Sequence, residues 1–411
     1  MPRPDYFCPA FLEAIMQRHA PQRRIRVEAV VPFPLDSSAS ILTALTAGRS
    51  DKPVGLFGLA VTLHADGQRQ TRRLVMKIKP AGSEISAMLA GLARACGGDV
   101  AAVYPQFQAL TGFEHTHWRE LHAYRQAGAG ILPEVWATHA DEAHQTYLVL
   151  LECLDDVELL NSVMAPGQWT DGHIRTALFQ LAGWHAQHLV GPQDQPPAHG
   201  ADVPSGAFMA RLAPLWAALL ANAAARFPGL YPPARAARLH AAIAEIPAYW
   251  ATLAAMPKTL VHNDLNPRNT CFKRRADGRL QFCAYDWELA TYHVPQYDVV
   301  ELLCFVLDAD RYHLRAAYLE YYRQCLHART GRFADRAAFR TGFDLAALDF
   351  GLHRLGLYLM AHSVSEYPYL PRVVNSYFDT LEHAGEAPAT AVEQVLEIGG
   401  ALRGKSSLVL A

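Results

Sequence analysis

The first 152 residues alternate between short apolar runs and turn residues, a pattern typical of antiparallel strands. Six β-branched or alternating runs predict strands: Arg26–Pro32, Ser40–Ala47, Phe57–His64, Arg72–Lys79, Ile131–His139 and Thr146–Glu152. Asp66-Gly67 separates two of these runs and favours a tight hairpin. The pattern therefore predicts a mostly antiparallel sheet with hairpin connections.

Two helices are predicted to interrupt this sheet. The first covers about residues Ser83–Cys96, and Gly97 and Gly98 end it. Its apolar positions recur on one face: Ile85, Met88, Leu89 and Leu92. The second helix covers about residues Thr116–Ala127.

The pattern changes after Asp155, where apolar positions begin to recur with helical spacing. The first such helix ends near Gly191-Pro192, and its face is marked by Ile174, Leu178, Leu181, His185 and Leu189. Long helices rich in Ala, Leu and aromatic residues dominate after Tyr297. The sequence therefore predicts a β-rich unit, residues 1–152, followed by a helical unit, residues 153–411.

One stretch in the helical half breaks this pattern and carries the candidate chemistry. LVHNDLNPRNTCF, Leu260–Phe272, places Asp264 five residues before Asn269. AYDWE, Ala284–Glu288, ends the next apolar strand on a second acid, Asp286. An acid that accepts a hydroxyl proton, together with a carboxamide and an acid as metal ligands, is the set of groups that phosphoryl transfer requires.

A hairpin is predicted to bring two of these residues together. The strand-like runs Asn269–Arg274 and Arg279–Asp286 flank Asp277-Gly278, a strong hairpin signal. If these two residues form the turn, Asn269 lies directly opposite Asp286, with Cβ atoms about 4.5–5.5 Å apart. Both oxygens could then bind one small hard cation such as Mg²⁺. A three-residue turn would shift this register by one residue.

Composition narrows the class of protein. With 411 residues, 51% of them hydrophobic, the chain can bury more than one core, and its length predicts two or three domains. A net charge of −2 gives no reason to expect nucleic acid or an anionic membrane surface as a partner. The seven cysteines lack CxxC pairing and are typical of small core residues in a reducing compartment. Because neither a leader-like segment nor a run of membrane-spanning length is present, the sequence favours a cytoplasmic protein.

The catalytic stretch also carries a family resemblance. HNDLNPRN with the following DWE resembles the aminoglycoside phosphotransferase and choline kinase branch of the protein-kinase-like superfamily, and YDWELATYHVPQYDVVELLCF is particularly similar to that branch. The similarity extends with gaps over Ser40–Phe305. It implies an α+β, bilobal protein-kinase-like fold, with a small antiparallel-sheet N-lobe and a larger, mainly helical C-lobe.

The resemblance implies roles for the residues of the catalytic stretch. Asp264 would accept the proton of the substrate hydroxyl or orient that hydroxyl. Asn269 and Asp286 would hold the magnesium ions that bridge the nucleotide phosphates. His262 would pack and hydrogen-bond within the loop, and Asp298 would tie the loop down by accepting from backbone N–H groups.

In the N-lobe, RRLVMKIKP resembles the strand that supplies a phosphate-binding lysine. Lys77 is the preferred candidate, because a lysine in the middle of an apolar strand needs an anionic partner. Lys79 lies on the same face of the strand and stays open, although a strand-end charge that reaches solvent is its simpler interpretation. Glu120 is the predicted ion-pair partner, and Glu114 is the alternative.

Two further nucleotide contacts are implied. The segment Thr46–Gly58 has no GxGxxG motif, but Gly48, Ser50 and Gly55 could let backbone N–H groups approach phosphates. An ordinary strand connection is an equal alternative. The segment Glu152–Leu154 falls where the hinge between the lobes should hold the adenine edge.

Two departures from protein kinases point to a small-molecule acceptor. Asn266 stands where protein kinases carry Lys, and Asp298 follows Asp286 after only twelve residues, without an APE-like segment. Arg268 contacts either phosphate or an acidic substrate group, or it pairs with a surface carboxylate, which is the preferred interpretation. A pocket for a cationic acceptor could come from Asp308, Asp310, Glu320 and Glu366 with Tyr318, Tyr321, Tyr322 and Tyr358.

The sequence therefore predicts an ATP- and Mg²⁺-dependent phosphotransferase that acts on a hydroxyl of a small molecule. A non-catalytic nucleotide-binding protein of the same fold is disfavoured, because Lys77, Asp264, Asn269 and Asp286 are all present. A hydrolase that uses a carboxylate pair would not need Asn269 or the lysine-bearing strand, and a protein Ser/Thr kinase remains an alternative. The acceptor and the oligomeric state stay open.

Overall fold

A computed structural model describes residues 3–35, 53–126, 130–194 and 203–385. Its first part is a five-stranded antiparallel sheet with strand order β1-β2-β3-β5-β4. The strands are β1 Ile25–Phe33, β2 Gly55–Ala65, β3 Gln68–Lys79, β4 Val135–Asp141 and β5 Thr146–Glu152. The predicted antiparallel sheet is confirmed, whereas the predicted strand at Ser40–Ala47 lies outside the described residues.

Local sequence explains the β2–β3 hairpin. Ala65 pairs with Gln68, so Asp66 and Gly67 form a two-residue turn, and both have positive φ angles. Along β3, Leu74, Met76 and Ile78 alternate with Lys77 and Lys79. The apolar set packs beneath helix α1, Pro9–His19, which the sequence analysis missed. The two lysines are therefore on the opposite face, towards the rest of the chain.

Three helices lie between β3 and β4. They are α2 Gly82–Cys96, α3 Gly98–Phe107 and α4 Thr116–Tyr124. The first predicted helix is confirmed almost to the residue. The second begins where predicted but ends at Tyr124, three residues before the expected end.

The rest of the described chain is mainly helical. Its helices are α5 Asp171–Gln187, α6 Gly206–Arg211, α7 Ala213–Arg226, α8 Pro233–Ala244, α9 Ile246–Ala254, α10 Gln296–Val306, α11 Arg315–Thr330, α12 Arg336–Phe350, α13 Gly356–His362 and α14 Leu370–Glu382. A π-helical turn, Gly351–Leu355, joins α12 to α13. Fully buried Trp169, Trp216, Trp250 and Trp287 lie in the core that these helices form.

Five short strands interrupt the helices and form two small sheets. They are β6 Val157–Glu158, β7 Thr259–Val261, β8 Thr270–Arg274, β9 Leu280–Ala284 and β10 Thr291–His293. One sheet has the order β6-β8-β9, and the other pairs β7 with β10. The catalytic stretch runs from β7 through a loop into the β8–β9 hairpin.

All seven cysteines are free thiols, and Cys96, Cys271, Cys283 and Cys304 are buried as small core residues. Among the described residues, no helix combines the length and the apolar character needed to cross a membrane.

Candidate active site

The β8–β9 hairpin differs from the predicted register by one residue. Thr270 pairs with Ala284 and Arg274 with Leu280, so the turn contains three residues, Ala276 to Gly278. Gly278 has a φ of +79°, the left-handed conformation that closes such a three-residue turn. The prediction that Asn269 lies directly opposite Asp286 is therefore wrong.

Asn269 faces Tyr285 instead. The Tyr285 N–H donates to the Asn269 carbonyl over 2.9 Å. Asp286 follows with a φ of +65°, an uncommon conformation outside glycine, so the chain turns away from the hairpin as soon as the pairing ends. The two residues stay close in the fold, one position out of register.

Asp298, on α10, holds the loop between β7 and β8. Its Oδ2 accepts from the His262 N–H at 2.8 Å, and its Oδ1 accepts from the Asn263 N–H at 3.0 Å. His185 contacts the same carboxylate at 3.2 Å. The His262 ring lies on Trp287, with centroids 4.5 Å apart, and bonds the Tyr285 carbonyl. These are the anchoring contacts that the sequence predicts for Asp298 and His262.

The buried Asp264 carboxylate is surrounded by donors. Asn269 Nδ2 donates to Oδ2 at 2.8 Å, and Arg354 Nη2 donates to Oδ1 at 2.8 Å. Asn266 and the Tyr358 hydroxyl also donate to Oδ1. Burial alone would raise the pKa of Asp264, but Arg354, Arg268 and Tyr358 lower it to about 2. The group is therefore an anion across the physiological pH range.

Three residues to which the sequence gives no role at Asp264 support its carboxylate: Glu301 on α10, Arg354 on the π-helical turn and Tyr358 on α13. Glu301 Oε2 accepts from the Leu265 N–H at 2.9 Å, and its Oε1 lies 3.0 Å from the Tyr358 hydroxyl. Glu301 follows Asp298 by three residues, so both lie on one face of α10. That spacing was the available signal for Glu301.

Burial and the nearby Asp264 raise the pKa of Glu301 to about 8. At neutral pH the protonated Glu301 can donate to Tyr358, whose hydroxyl then donates to Asp264.

Glu301→Gln is expected to make stability less sensitive to alkaline pH. A folded-state pKa of about 8, against an ordinary 4.5, means that the folded protein holds this proton more tightly than the unfolded chain. The resulting stabilisation is complete below pH 4.5 and is lost as the pH rises through 8. Gln cannot ionise. The melting temperature of the Glu301→Gln protein should therefore fall less than that of the wild type between about pH 6 and about pH 9. An equal fall of the melting temperature with pH in the variant and the wild type would contradict the raised pKa of Glu301.

Lys77 and Lys79 share one carboxylate, Glu120 of α4. Lys77 Nζ lies 2.8 Å from Glu120 Oε1, and Lys79 Nζ lies 2.6 Å from Oε2. Lys77 also contacts Asp286 at 2.5 Å, and Lys79 contacts Glu288 at 2.5 Å. Lys79 is 1% exposed, so its interpretation as a strand-end charge in solvent is wrong. The choice of Glu120 over Glu114 agrees with this geometry.

Three acids converge at these lysines. Glu120, Asp286 and Glu288 each bring a carboxylate oxygen within 4.8 Å of the others. Burial would raise the pKa of Asp286, but Lys77 and Lys79 lower it, whereas burial and Asp286 raise the pKa of Glu288. Glu288 is a further acid of this site that the sequence does not predict, and its position two residues after Asp286 is the available signal.

The residues present fit a magnesium ion. Asn269 Nδ2 donates both its hydrogens to Asp264. The side-chain oxygen of Asn269, Oδ1, is therefore left for another partner. Asp286 is 33% exposed and can receive a ligand from the cleft. Asn269, Asp286 and Glu288 thus offer only hard oxygen donors, which Mg²⁺ prefers.

The other predicted nucleotide contacts are only partly described. Gly48 and Ser50 lie outside the described residues, and Gly55 begins β2. Glu152 ends β5, and its side chain accepts from Lys273 at 2.6 Å and from the Glu134 N–H at 2.7 Å. Leu154 lies in the connection between β5 and β6, where the chain passes from the sheet to the helical part.

Four of the eight residues predicted to form a cationic-acceptor pocket make contacts elsewhere. Within the described chain, Asp308 is bound by Arg311 and Glu320 by Arg323 and Arg336. The Tyr318 hydroxyl donates to Asp171, and the Tyr322 hydroxyl bonds His185. Of the eight residues proposed for this pocket, the described contacts bring only Tyr358 to Asp264.

Arg268 lies beside the candidate base. Its Nη2 is 3.9 Å from Asp264 Oδ1, and its Nε donates to Asn266. The guanidinium lies 5.6 Å from the ring centre of Tyr358 and 5.5 Å from that of Tyr369. The preferred pairing with a surface carboxylate is therefore wrong, because the acid that Arg268 faces is the buried Asp264.

A sheet with a lysine–glutamate pair, a helical lobe and an Asp-bearing loop between them define a bilobal protein-kinase-like fold. The phosphotransferase enzyme family matches residues 68–337, about two thirds of the sequence. The chain belongs to this family, which confirms the resemblance and identifies it as a phosphotransferase. No curated protein sequence matches the chain significantly.

Solved structures that match the chain include the following three. A choline kinase from Cryptosporidium parvum Iowa II is 11% identical, with 92% of this chain and 91% of that chain covered and a TM-score of 0.43. A microcompartment-associated aminopropanol kinase is 14% identical, with 85% and 91% covered and a TM-score of 0.39. The GDP complex of aminoglycoside 2'-phosphotransferase-IIIa is 12% identical, with 86% and 98% covered and a TM-score of 0.39.

Proposed function

We propose that the protein transfers the γ-phosphoryl group of ATP to a hydroxyl group of a small molecule, with magnesium as the metal ion. One observation carries the proposal: Lys77 bridges Glu120 of α4 and Asp286 of the catalytic hairpin. This ammonium group joins the sheet, where the nucleotide is expected, to the hairpin that follows Asp264. Asn269, Asp286 and Glu288 would hold the magnesium ion, which would neutralise charge on the nucleotide phosphates.

The surroundings of Asp264 define its part in the reaction. Its carboxylate accepts a hydrogen bond from the acceptor hydroxyl, and the hydroxyl oxygen attacks the γ-phosphorus as the bond to the ADP oxygen breaks. A carboxylate whose pKa is about 2 is a weak base. It therefore orients the hydroxyl first and takes the proton late, which a loose transition state permits. Lys77 holds the phosphates in position.

The acceptor is proposed to be a small molecule because of the loop composition. Asn266 Nδ2 donates to the Asp264 backbone carbonyl and to its Oδ1, both at 3.1 Å. The side chain is therefore used inside the loop and does not project as the lysine of protein kinases does. The chain also reaches α10 from β10 within three residues, so no long segment of the kind that binds protein substrates in protein kinases lies between them.

Magnesium-dependent stabilisation by nucleotide tests the first half of the proposal. Mg·ATP at 100 times its Kd should stabilise the folded protein by about 2.7 kcal/mol, and Lys77→Ala should abolish most of this shift. Lys258→Ala, outside the site, is the matched control. If neither ATP nor GTP stabilises the folded protein, a hydrolase that uses a carboxylate pair would be favoured over a kinase.

Phosphoryl transfer tests the second half. Hydroxylated amines, acids, sugars and nucleosides are incubated with Mg·ATP, and products that gain one phosphoryl group are identified by mass. At least one class should be phosphorylated by the wild type and not by Asp264→Asn. Tight nucleotide binding without transfer to any acceptor would favour the non-catalytic protein of the same fold.

A further inference from the structure

The charges beside Asp264 do not balance. Arg354 and Arg268 place guanidinium nitrogens 2.8 Å and 3.9 Å from the same oxygen, Asp264 Oδ1. Glu301 is the nearby second acid, but its raised pKa of about 8 leaves it mostly protonated at neutral pH. Both guanidinium groups thus face the same carboxylate, but only Arg354 hydrogen-bonds to it, whereas the Arg268 Nε donates to Asn266. A cation in a largely buried cluster is costly unless an anion pairs with it.

The two arginines differ in what they can still bind. Arg354 is 4% exposed and donates to Asp264 and Tyr358, so it belongs to the support of the base. The Arg268 side chain is 19% exposed, and its Nη2 is too far from Asp264 for a hydrogen bond. Its guanidinium also lies within cation–π distance of the Tyr358 and Tyr369 rings. The guanidinium of Arg268 is thus held in place beside Asp264, and its Nη groups can still donate to an anionic ligand.

The adjoining cavity adds no negative charge. A small pocket opens next to Asn263, and its described lining contains Arg119, His353 and Arg354 but no acid. Burial lowers the pKa of His353 to about 4 although Asp349 acts in the opposite direction, so this imidazole is neutral. Two of the acids first expected to bind a cationic acceptor are paired elsewhere, Asp308 with Arg311 and Glu320 with Arg323.

We propose that the phosphate acceptor carries a carboxylate or phosphate group near its reacting hydroxyl, and that Arg268 binds this group. The inference rests on the proposed phosphotransferase activity and names the class of acceptor. An anionic group would balance the charge of Arg268 and Arg354 while Asp264 keeps its own hydrogen bonds. An ammonium group at the same place would face two guanidinium ions and be repelled. Arg268 is therefore the residue that determines acceptor charge.

Matched acceptors test this inference without knowledge of the natural substrate. Gluconate, gluconamide and glucamine share their hydroxyl groups and differ only in an acid, an amide or an amine. Glycerol 1-phosphate and glycerol form a second pair, which distinguishes a phosphate from a carboxylate. Each probe is assayed for phosphoryl transfer, and for thermal stabilisation of the full chain with Mg·ADP bound, a readout that needs no turnover.

The anionic probe of at least one set should bind and react better than its uncharged partner in the wild type. Arg268→Gln should raise the KM for that probe by about 10- to 100-fold, the loss expected for charge-assisted hydrogen bonds, with a smaller effect on kcat. Arg268→Lys, which keeps the charge but not the planar fork, should recover part of the loss. Arg279→Gln removes an equal charge from the exposed hairpin turn and should change neither parameter.

A preference for the amine, no advantage of any anionic probe, or an advantage that survives Arg268→Gln would overturn the inference. These outcomes differ from failure of the proposed function. If Mg·ATP does not bind, the phosphotransferase proposal fails; if it binds and transfers to an amine, only the charge assignment fails.

Discussion

Asp264→Asn is expected to lower kcat for phosphoryl transfer by about 10²- to 10⁴-fold, the range for loss of a positioned general base. The replacement keeps the size of the side chain but removes the negative charge. In the folded protein Arg354 and Asn269 each donate to one oxygen of Asp264. The amide of Asn has only one oxygen, which is a weaker acceptor, so its NH₂ group would face one of these two donors. Initial rates of ADP release and product formation, at saturating acceptor, measure the loss.

A second measurement separates catalysis from folding. Asp264→Asn leaves Arg354 buried without its anionic partner, so the free energy of unfolding should fall as well. The Kd for Mg·ATP should change little, because the nucleotide contacts come from Lys77 and the acids around it. Asp277→Asn, an equivalent change in the exposed turn of the same hairpin, is the control. A fully folded Asp264→Asn protein that retains a kcat within about 10-fold of the wild type would rule out Asp264 as the base.

Elements with a local signal could be predicted from the sequence. β5 was predicted with its exact bounds, and the hairpin between β2 and β3 followed from Asp66-Gly67. Both depend on alternation and turn chemistry within about ten residues. The position of Asp298 near the catalytic loop came from the family resemblance, and the structure explains it through two backbone N–H groups.

Two local ambiguities could not be resolved from the sequence. Asp277-Gly278 is compatible with turns of two or three residues, and the choice shifts the pairing of Asn269 by one. Lys77 and Lys79 lie on the same face of β3, so alternation cannot rank them. In the structure both lysines bind Glu120, whereas the sequence leads one to expect that only one of them does.

The support of Asp264 was missed because it is distant in sequence. Arg354 and Tyr358 come about ninety residues after Asp264, from a π-helical turn and the helix that follows it. Neither lies in a motif with its own signal. By contrast, the pairing of two acids of the predicted pocket has a local signal: Asp308 with Arg311 and Glu320 with Arg323 are three residues apart in sequence, a spacing that favours pairing on a helical surface.

Glu120→Gln is expected to lower the free energy of unfolding by about 3–5 kcal/mol, the usual cost of removing one partner from a buried ion pair. Glu120 is 0% exposed, and each of its oxygens contacts a different lysine. Burial alone would lower the pKa of Lys77, but Asp286 and Glu120 hold it well above its ordinary value. Gln removes that counter-charge and leaves Asp286 and Glu288 to balance both ammonium groups. Urea denaturation of the wild type and the variant measures the change.

Nucleotide binding should weaken in the same variant, because Lys77 is no longer held between α4 and the hairpin. Isothermal titration with Mg·ATP measures this effect under conditions where Glu120→Gln remains folded. Glu114→Gln is the matched control, since Glu114 precedes α4 and takes part in no described ion pair with either lysine. It should change stability and Kd little. Equal effects of the two variants would mean that the shared carboxylate of Glu120 does not organise the nucleotide site.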